Sequence, residues 1–512
     1  MPVASRARRT AGLSAAAASA LAITVLGPVG AAHAAGSSAI GNDPFTKSTC
    51  TANNTQNHKA NVEPDSFAYG STIVAAYQVG RLYDGGACAI GFSTSTDNGT
   101  TWTTSGLLPG ITKNTTTKGP NDRATDASVA YDVSHKVWLI SSLPLLESGG
   151  VHGNAVLTSR SVDGKTWDSP VTTATGGDLD KNWIACDNTA SSPFFGNCYT
   201  EWDDHGNGNK MQMSTSTDGG LTWSKPSTNG AGIIGGQPVV QPNGTVVVPT
   251  ANANETAIGS YRSTDGGATW SAVTTVATVK HHTVAGSLRE GPLPSAEVAG
   301  DGTVYVAWSD CRFRSGCKTN DIVYSSSSNG TTWSAVTRVP IDATNSGVDH
   351  FIPGLAVNPA SGTTTTPTKL ALTYYFYPSG SSQLSVGFIT SADGGANWSG
   401  ATTVKSGMPS TWAANTTQGR MVGDYMSTSF TGDGVAHGVF GTAGTPSTGA
   451  STACTTSALD NCNNPIEQYT PAAPVAAANA SATGPVLFSG EGGTGAQNLW
   501  NLVDNNGSKH RD

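Results

Sequence analysis

The chain has 512 residues, including 62 Gly and 26 Pro, and only 12% of it is charged. Such a length can bury a large core, and this much Gly and Pro excludes a helical bundle or coiled coil without reaching the level of a disordered chain. The formal charge is −8 and no Lys/Arg run interrupts the body of the chain, so nothing is set up to hold a phosphate backbone and nucleic acid is excluded as a partner.

Residues 1–34 read as a secretory signal, with Arg6, Arg8 and Arg9 ahead of an apolar stretch from Ala11 to Val29 and small residues at Ala32 and Ala34 for cleavage. Gly27 and Pro28 break that stretch, which is short for a spanning helix, so no membrane association is expected and the product should be extracellular. Residues 35–60 form an N-terminal segment in which a ring-closing strand is sought, within about 45–60. Residues 61–440 carry a repeat. Residues 441–486 read as a loop tied by cysteines that completes the last sheet, and 487–512 as a surface tail. The eight cysteines pair most simply as neighbours: Cys186 with Cys198, Cys311 with Cys317 and Cys454 with Cys462, leaving Cys50 with Cys88. Spacing alone does not fix the connectivity. No C-x-x-C pair or matched Cys/His quartet suggests zinc.

The repeat is a short turn motif. Its cleanest copies run from Ser95 through Asp97 and Gly99 to Trp102, from Ser216 through Asp218 and Gly220 to Trp223, and from Ser263 through Asp265 and Gly267 to Trp270. The copy at Ser391 to Trp398 has Asn397 where the others have Thr, the copy at Ser161 to Trp167 is one residue shorter, and the copy at Ser326 to Trp333 has lost the Asp. Each follows an alternating strand such as Ile90 to Thr94, so the motif is a hairpin turn. Asp accepts bonds from the turn amides, Gly takes the positive-φ position and Trp covers the hairpin. Upstream of each copy an apolar strand pair opens with polar residues, near Glu63, Asp126, Trp183, Gln237, Pro292, Phe351 and Met421. Seven openings with six motifs predict an all-β propeller of seven four-stranded blades, with six as the alternative.

The motif S-x-D-x-G-x-T-W is the Asp-box, and the chain resembles secreted bacterial Asp-box (BNR-repeat) proteins of the sialidase superfamily over residues 60–440. The resemblance implies a propeller whose charged residues at the blade openings gather at one mouth. It implies a retaining glycosidase that removes a terminal acidic sugar, with a Tyr nucleophile, a Glu that takes its proton, an Asp acid/base and three arginines on the sugar carboxylate. On the family's order, Tyr425 is the nucleophile, Glu290 its base and Asp126, or Asp122, the acid/base. Arg81, Arg312 and Arg420 fall on the arginine positions. Arg123, Arg289, Asp349 and His350 complete the expected substrate-binding set. The family's Phe-Arg-Ile-Pro segment is absent. Other readings are a uronic-acid lyase or another glycan hydrolase, with His281, His282 or His350 as base near Arg289. A third is a binding propeller whose Trp183, Trp202, Phe351 and Tyr374 to Tyr377 stack on sugars. No cofactor is expected; Asp203 and Asp204 offer oxygen ligands to calcium, but no loop has the spacing of a calcium motif.

Overall fold

The computed structural model describes residues 36–50, 57–447, 453–454 and 461–476. The expected signal and tail lie outside them. Among the described residues no helix is long and apolar enough to cross a membrane.

The chain is an all-β propeller. Its innermost strands are Asn61–Tyr69, Arg123–Asp132, Leu179–Cys186, Val239–Val240, Ser295–Val298, Asp349–Val357 and Ser427–Phe430. Each neighbours the next, and the last returns to the first. They head what we call blades 1 to 7. The sheets are less even than the sequence predicts: blades 1 and 2 join into one nine-stranded sheet through the single pair Ala87 and Ala124, and blade 3 has three strands. The innermost edge of blade 4 is split between Ile233–Ile234 and Val239–Val240. The opening expected at Met421 belongs instead to a separate hairpin, Ala414–Thr416 with Gly419–Met421, and blade 7 begins at Ser427. The ring is closed by Gly36–Gly41, ahead of the 45–60 segment favoured from sequence, which pairs antiparallel with Ile466–Thr470. This closure covers edges that would otherwise be free to pair with other chains.

Blades are buried on both faces, which is why their strands read as nearly continuous apolar runs. Along Val137–Leu146, Trp138 and Ile140 pack into a cluster with Val74 and Ile90 of blade 1, while Val137 and Leu139 pack on Ile184 and Cys198 of blade 3. Fully burying each such aliphatic side chain contributes about 1.5–3 kcal/mol. The turn motifs work as predicted. At Asp97, Oδ1 accepts from the Thr101 amide at 2.9 Å and Oδ2 from the Thr101 hydroxyl at 2.6 Å, and the Gly99 amide donates to Ser95 Oγ at 3.0 Å. In the copy ending at Trp333 the Asp is not simply lost. Asn329 accepts from the Thr332 amide at 2.8 Å and Ser327, not Ser326, receives the Gly330 amide, so this copy matches the shorter one at Ser161. All four expected disulfides are formed.

Candidate active site at the axial mouth

The mouth is built by a recurrent backbone irregularity. The pairing register slips between Val62 and Asp65, between Thr125 and Ser128, between Asp180 and Trp183, and between Phe351 and Pro353. Within each slip one residue with a side chain sits in the left-handed region: Glu63 (φ 53°), Asp126 (φ 48°), Lys181 (φ 51°) and Ile352 (φ 48°). A bulge re-aims the side chain it carries, and a left-handed residue with a Cβ costs about 1–3 kcal/mol, strain that persists where surrounding packing fixes it. Here the bulges turn Glu63, Asp126 and Lys181 from blades 1 to 3 toward the axis, where they meet Asp424, Tyr425 and Arg289.

Lys181 Nζ lies 2.5 Å from Asp424 Oδ2, 3.4 Å from Asp126 Oδ1 and 3.6 Å from Glu63 Oε1. Arg289 holds Asp424 with two bonds, Nε to Oδ1 at 2.8 Å and Nη2 to Oδ2. Gln78 links Glu63 to Thr125 Oγ1, and its own carbonyl accepts from Arg81 Nη1 at 2.9 Å. Thr125 Oγ1 donates to Asp126 Oδ2 at 3.0 Å. The Tyr425 hydroxyl donates to the Ala127 carbonyl at 3.4 Å, and its ring meets Trp183 edge-on at 5.2 Å.

These surroundings split the carboxylates. Burial, with repulsion from Asp126 and Asp424, lifts Glu63 to about 7 against the pull of Lys181. Burial alone would raise Asp424 too, but Arg289 and Lys181 hold it far below the ordinary carboxylate range. Burial and the charges of Glu63 and Asp126 push the Tyr425 phenol well up. A pair of acids driven apart in this way is what acid/base chemistry at neutral pH requires. The space enclosed among Asp126, Lys181, Trp183, Asp424 and Tyr425 is about 20 Å³, enough for roughly one water. The hairpin 414–421 precedes Asp424 and Tyr425 in the chain and is tied to its surroundings by backbone bonds. The Thr417 amide of that hairpin donates to the Tyr83 carbonyl of blade 1 at 2.9 Å, and Arg420 exchanges backbone bonds with Ser287 and Arg289.

Of the residues expected from sequence, Asp126, Tyr425 and Arg289 come together, with Arg81 behind them. Glu290 does not join Tyr425. It takes His281 Nε2 at 2.8 Å and the Ser309 hydroxyl at 2.8 Å. Arg123 is buried as a tie to Asp84 and Glu147, at 2.6 and 2.7 Å, and Arg312 is occupied by Asp310 of its own blade. Arg420 donates to the Ala413 and Cys454 carbonyls. The triad of Arg81, Arg312 and Arg420 is therefore not assembled, because two of its members have partners elsewhere. Asp349 accepts the Asn320 amide at 2.7 Å beside His282, and burial lifts it to about 6. His350 is buried against Arg314 and the Asn320 carbonyl, held at about 4 chiefly by burial, so it is a packing residue and not a substrate ligand. Its neighbours Asp321 and Asp342 are neutralised by Arg314 and Arg338, which argues against a metal there. Trp202, Phe351 and Tyr374 to Tyr375 are core residues and offer no face for stacking.

Sequence reading placed a blade opening near Glu63 but gave no chemical role to Glu63, Lys181 or Asp424. It missed Glu255, whose carboxyl burial raises beside Gly291 at the mouth. The available signal was a charged residue followed by Pro, Ala or Asn at a blade opening, the place of three of the four bulges.

The BNR repeat-like domain model matches residues 193–357. No curated protein matches the chain in sequence. Among solved structures, the chain is similar to a polysaccharide lyase, an ulvan lyase, at 11% identity and a TM-score of 0.46 over 86% of this chain and 95% of that one. It is also similar to the NanB sialidase of Streptococcus pneumoniae, at 12% identity and a TM-score of 0.41 over 83% and 70%. A protein of unknown function from Dyadobacter fermentans is 17% identical, with a TM-score of 0.43 over 70% and 99%. These likenesses are distant. With six hairpins of one turn repeat set in a closed ring of sheets, and a BNR repeat-like match over residues 193–357 inside that ring, the chain is an all-β propeller that carries a BNR repeat-like domain.

Proposed function

We propose that this protein is a glycan-active enzyme that works at the axial mouth, as a glycoside hydrolase removing a terminal acidic sugar of the sialic acid kind. The observation that supports it is the meeting of Glu63, Asp126, Lys181, Asp424, Tyr425 and Arg289, from separate blades, at one end of the axis. Tyr425 is the nucleophile and Asp126 the acid/base. Glu63, whose charge weighs most on the phenol, replaces Glu290 as the group that takes its proton. The phenolic oxygen attacks the anomeric carbon as its proton passes to Glu63, and Asp126 protonates the departing oxygen. Water activated by Asp126 then releases the sugar, and Glu63 returns the proton to Tyr425. A neutral Tyr suits a substrate that is itself negative. The sugar carboxylate competes with Asp424 for Arg289, at 23% exposure the cation of this cluster most open to solvent. Four disulfides suit an oxidising compartment, and we infer that the reaction takes place outside the cytosol.

A second reading, uronic-acid lyase, is favoured by one feature. His281 is held by Glu290, the residue after Arg289, which outweighs burial and raises the imidazole, and the charge of the same Glu290 acts on Tyr377, whose buried hydroxyl has no partner. His281 would remove the C5 proton as the C4–O4 bond breaks to leave a C4–C5 double bond, Arg289 would neutralise the uronate, and the proton would pass from His281 to the departing oxygen. Purified protein is tested on a fluorogenic sialoside and on a panel of uronic-acid polysaccharides. Fluorescence lost in Y425F supports the hydrolase; ultraviolet absorbance of an unsaturated sugar lost in H281N supports the lyase. Silence on both substrates sinks catalysis and leaves a binding propeller.

A further inference from the structure

Between blades 3 and 4 lies a group of acids that the chemistry above does not use. Glu201 and Asp203 are two residues apart on the strand Cys198–Asp204, so they project to the same face. Tyr199, on that same face, packs against Ile233, Val246 and Tyr261 of blade 4. Both acids are at 0% exposure. Neither oxygen of Glu201 has a hydrogen-bond partner, nor has Asp203 Oδ1, nor the buried hydroxyl of Tyr261. Only Asp203 Oδ2 is satisfied, by Asn209 Nδ2 at 2.7 Å. Among the described residues no Lys, Arg or His forms an ion pair with either acid. Asp180 stands opposite Asp203 in register and its charge repels Asp203 further, more strongly than Lys181 attracts it. Gly236, which lines the mouth, is held against the Glu201 carboxyl so closely that a Cβ there would lie 2.8 Å from Oε2.

Two carboxylates cannot remain charged in such a place without a counter-charge, so they carry either protons or a cation. The unsatisfied atoms are all oxygens, the donor set of a hard divalent ion, and soft ligands are absent apart from the thioethers of Met211 and Met213 in the surrounding cluster. We propose that a calcium ion binds between blades 3 and 4 on Glu201 and Asp203. Binding displaces any protons the two acids hold, and fastens blade 3 to the Gly235–Gly236 segment at the floor of the mouth.

The test needs no substrate. Wild-type protein is dialysed against CaCl2 and then metal-free buffer, its calcium content is measured, and its Tm is compared in EDTA and in calcium. About one calcium per chain and a lower Tm in EDTA are expected. E201Q and D203N should each weaken calcium binding by on the order of ten-fold or more and lose the calcium-dependent rise in Tm. Wild-type protein that retains no calcium and melts identically in EDTA and calcium overturns the proposal, since that is the behaviour of two protonated acids. So does E201Q binding calcium as tightly as wild type, which puts the ion elsewhere. Should the variants fail to fold, the wild-type comparison alone decides.

Discussion

Replacing Asp424 by Asn tests whether the axial charges hold one another in place. Glu63, Asp126 and Asp424 face Lys181, Arg289 and Arg81, and D424N removes the negative charge that Lys181 and Arg289 both hold, where Lys181 is only 7% exposed. Lys181 loses a partner at 2.5 Å, and Arg289 loses its carboxylate fork. At an effective dielectric near 20, one such contact is worth about 4 kcal/mol, and removing one partner of a buried pair costs about 3–5 kcal/mol. Some of this is recovered. Without the Asp424 charge, Glu63 ionises more readily and offers Lys181 a carboxylate already 3.6 Å away. We expect urea unfolding at pH 7 to show a loss of about 3 kcal/mol for D424N. The double variant D424N/K181M should be less destabilised than the sum of its single changes, because it removes the stranded cation. A loss under about 1 kcal/mol, with additive single effects, would mean that water already screens these charges and would refute the argument.

Stability should be greatest in mildly acidic solution. Glu63 and Asp65 are raised to about 7 and Glu297 to about 8, chiefly by burial, so between the ordinary carboxylate range and those values each keeps its proton in the folded chain while the unfolded chain releases it. Their contribution is complete below the ordinary carboxylate range and is lost as pH rises through 7 to 8. His350, held near 4, works in the opposite direction below about 6.5 but is one group against several. A Tm that falls from pH 5 to pH 8 is expected, and a Tm that climbs over that range would contradict it. Replacing Arg123 by Met leaves Asp84 and Glu147 without their shared cation and should cost about 3–5 kcal/mol in chemical denaturation, with KM unchanged for whatever substrate is found; a raised KM with intact stability would return Arg123 to the site. Replacing Asp218 by Ala removes acceptors for the Leu221 and Thr222 amides and the Thr222 hydroxyl on an exposed turn. Its cost should be about 1–2 kcal/mol by thermal melting, with activity preserved.

The sequence by itself determined what acts over short distances. In each turn motif the Ser and Asp side chains accept from amides within four residues of themselves, so each hairpin could be read from its own residues. Three of the four disulfides close loops of twelve residues or fewer, and the fourth pair was left by elimination. Six of the seven blade openings were legible because an apolar run after polar residues marks where the chain enters the core; the one placed at Met421 fell on a hairpin ahead of blade 7. The tertiary structure alone decided which charge meets which. Lys181 and Asp424 are 243 residues apart, and the bulges that bring them together change the aim of a side chain without changing its chemistry. The same holds for Arg123 and Arg312, whose residue type fits a carboxylate of substrate or of protein equally well, and for Glu290, which found His281 and not Tyr425. A guanidinium or carboxylate binds the nearest opposite charge, and in a ring that distance is set by the angle between blades rather than by position along the chain.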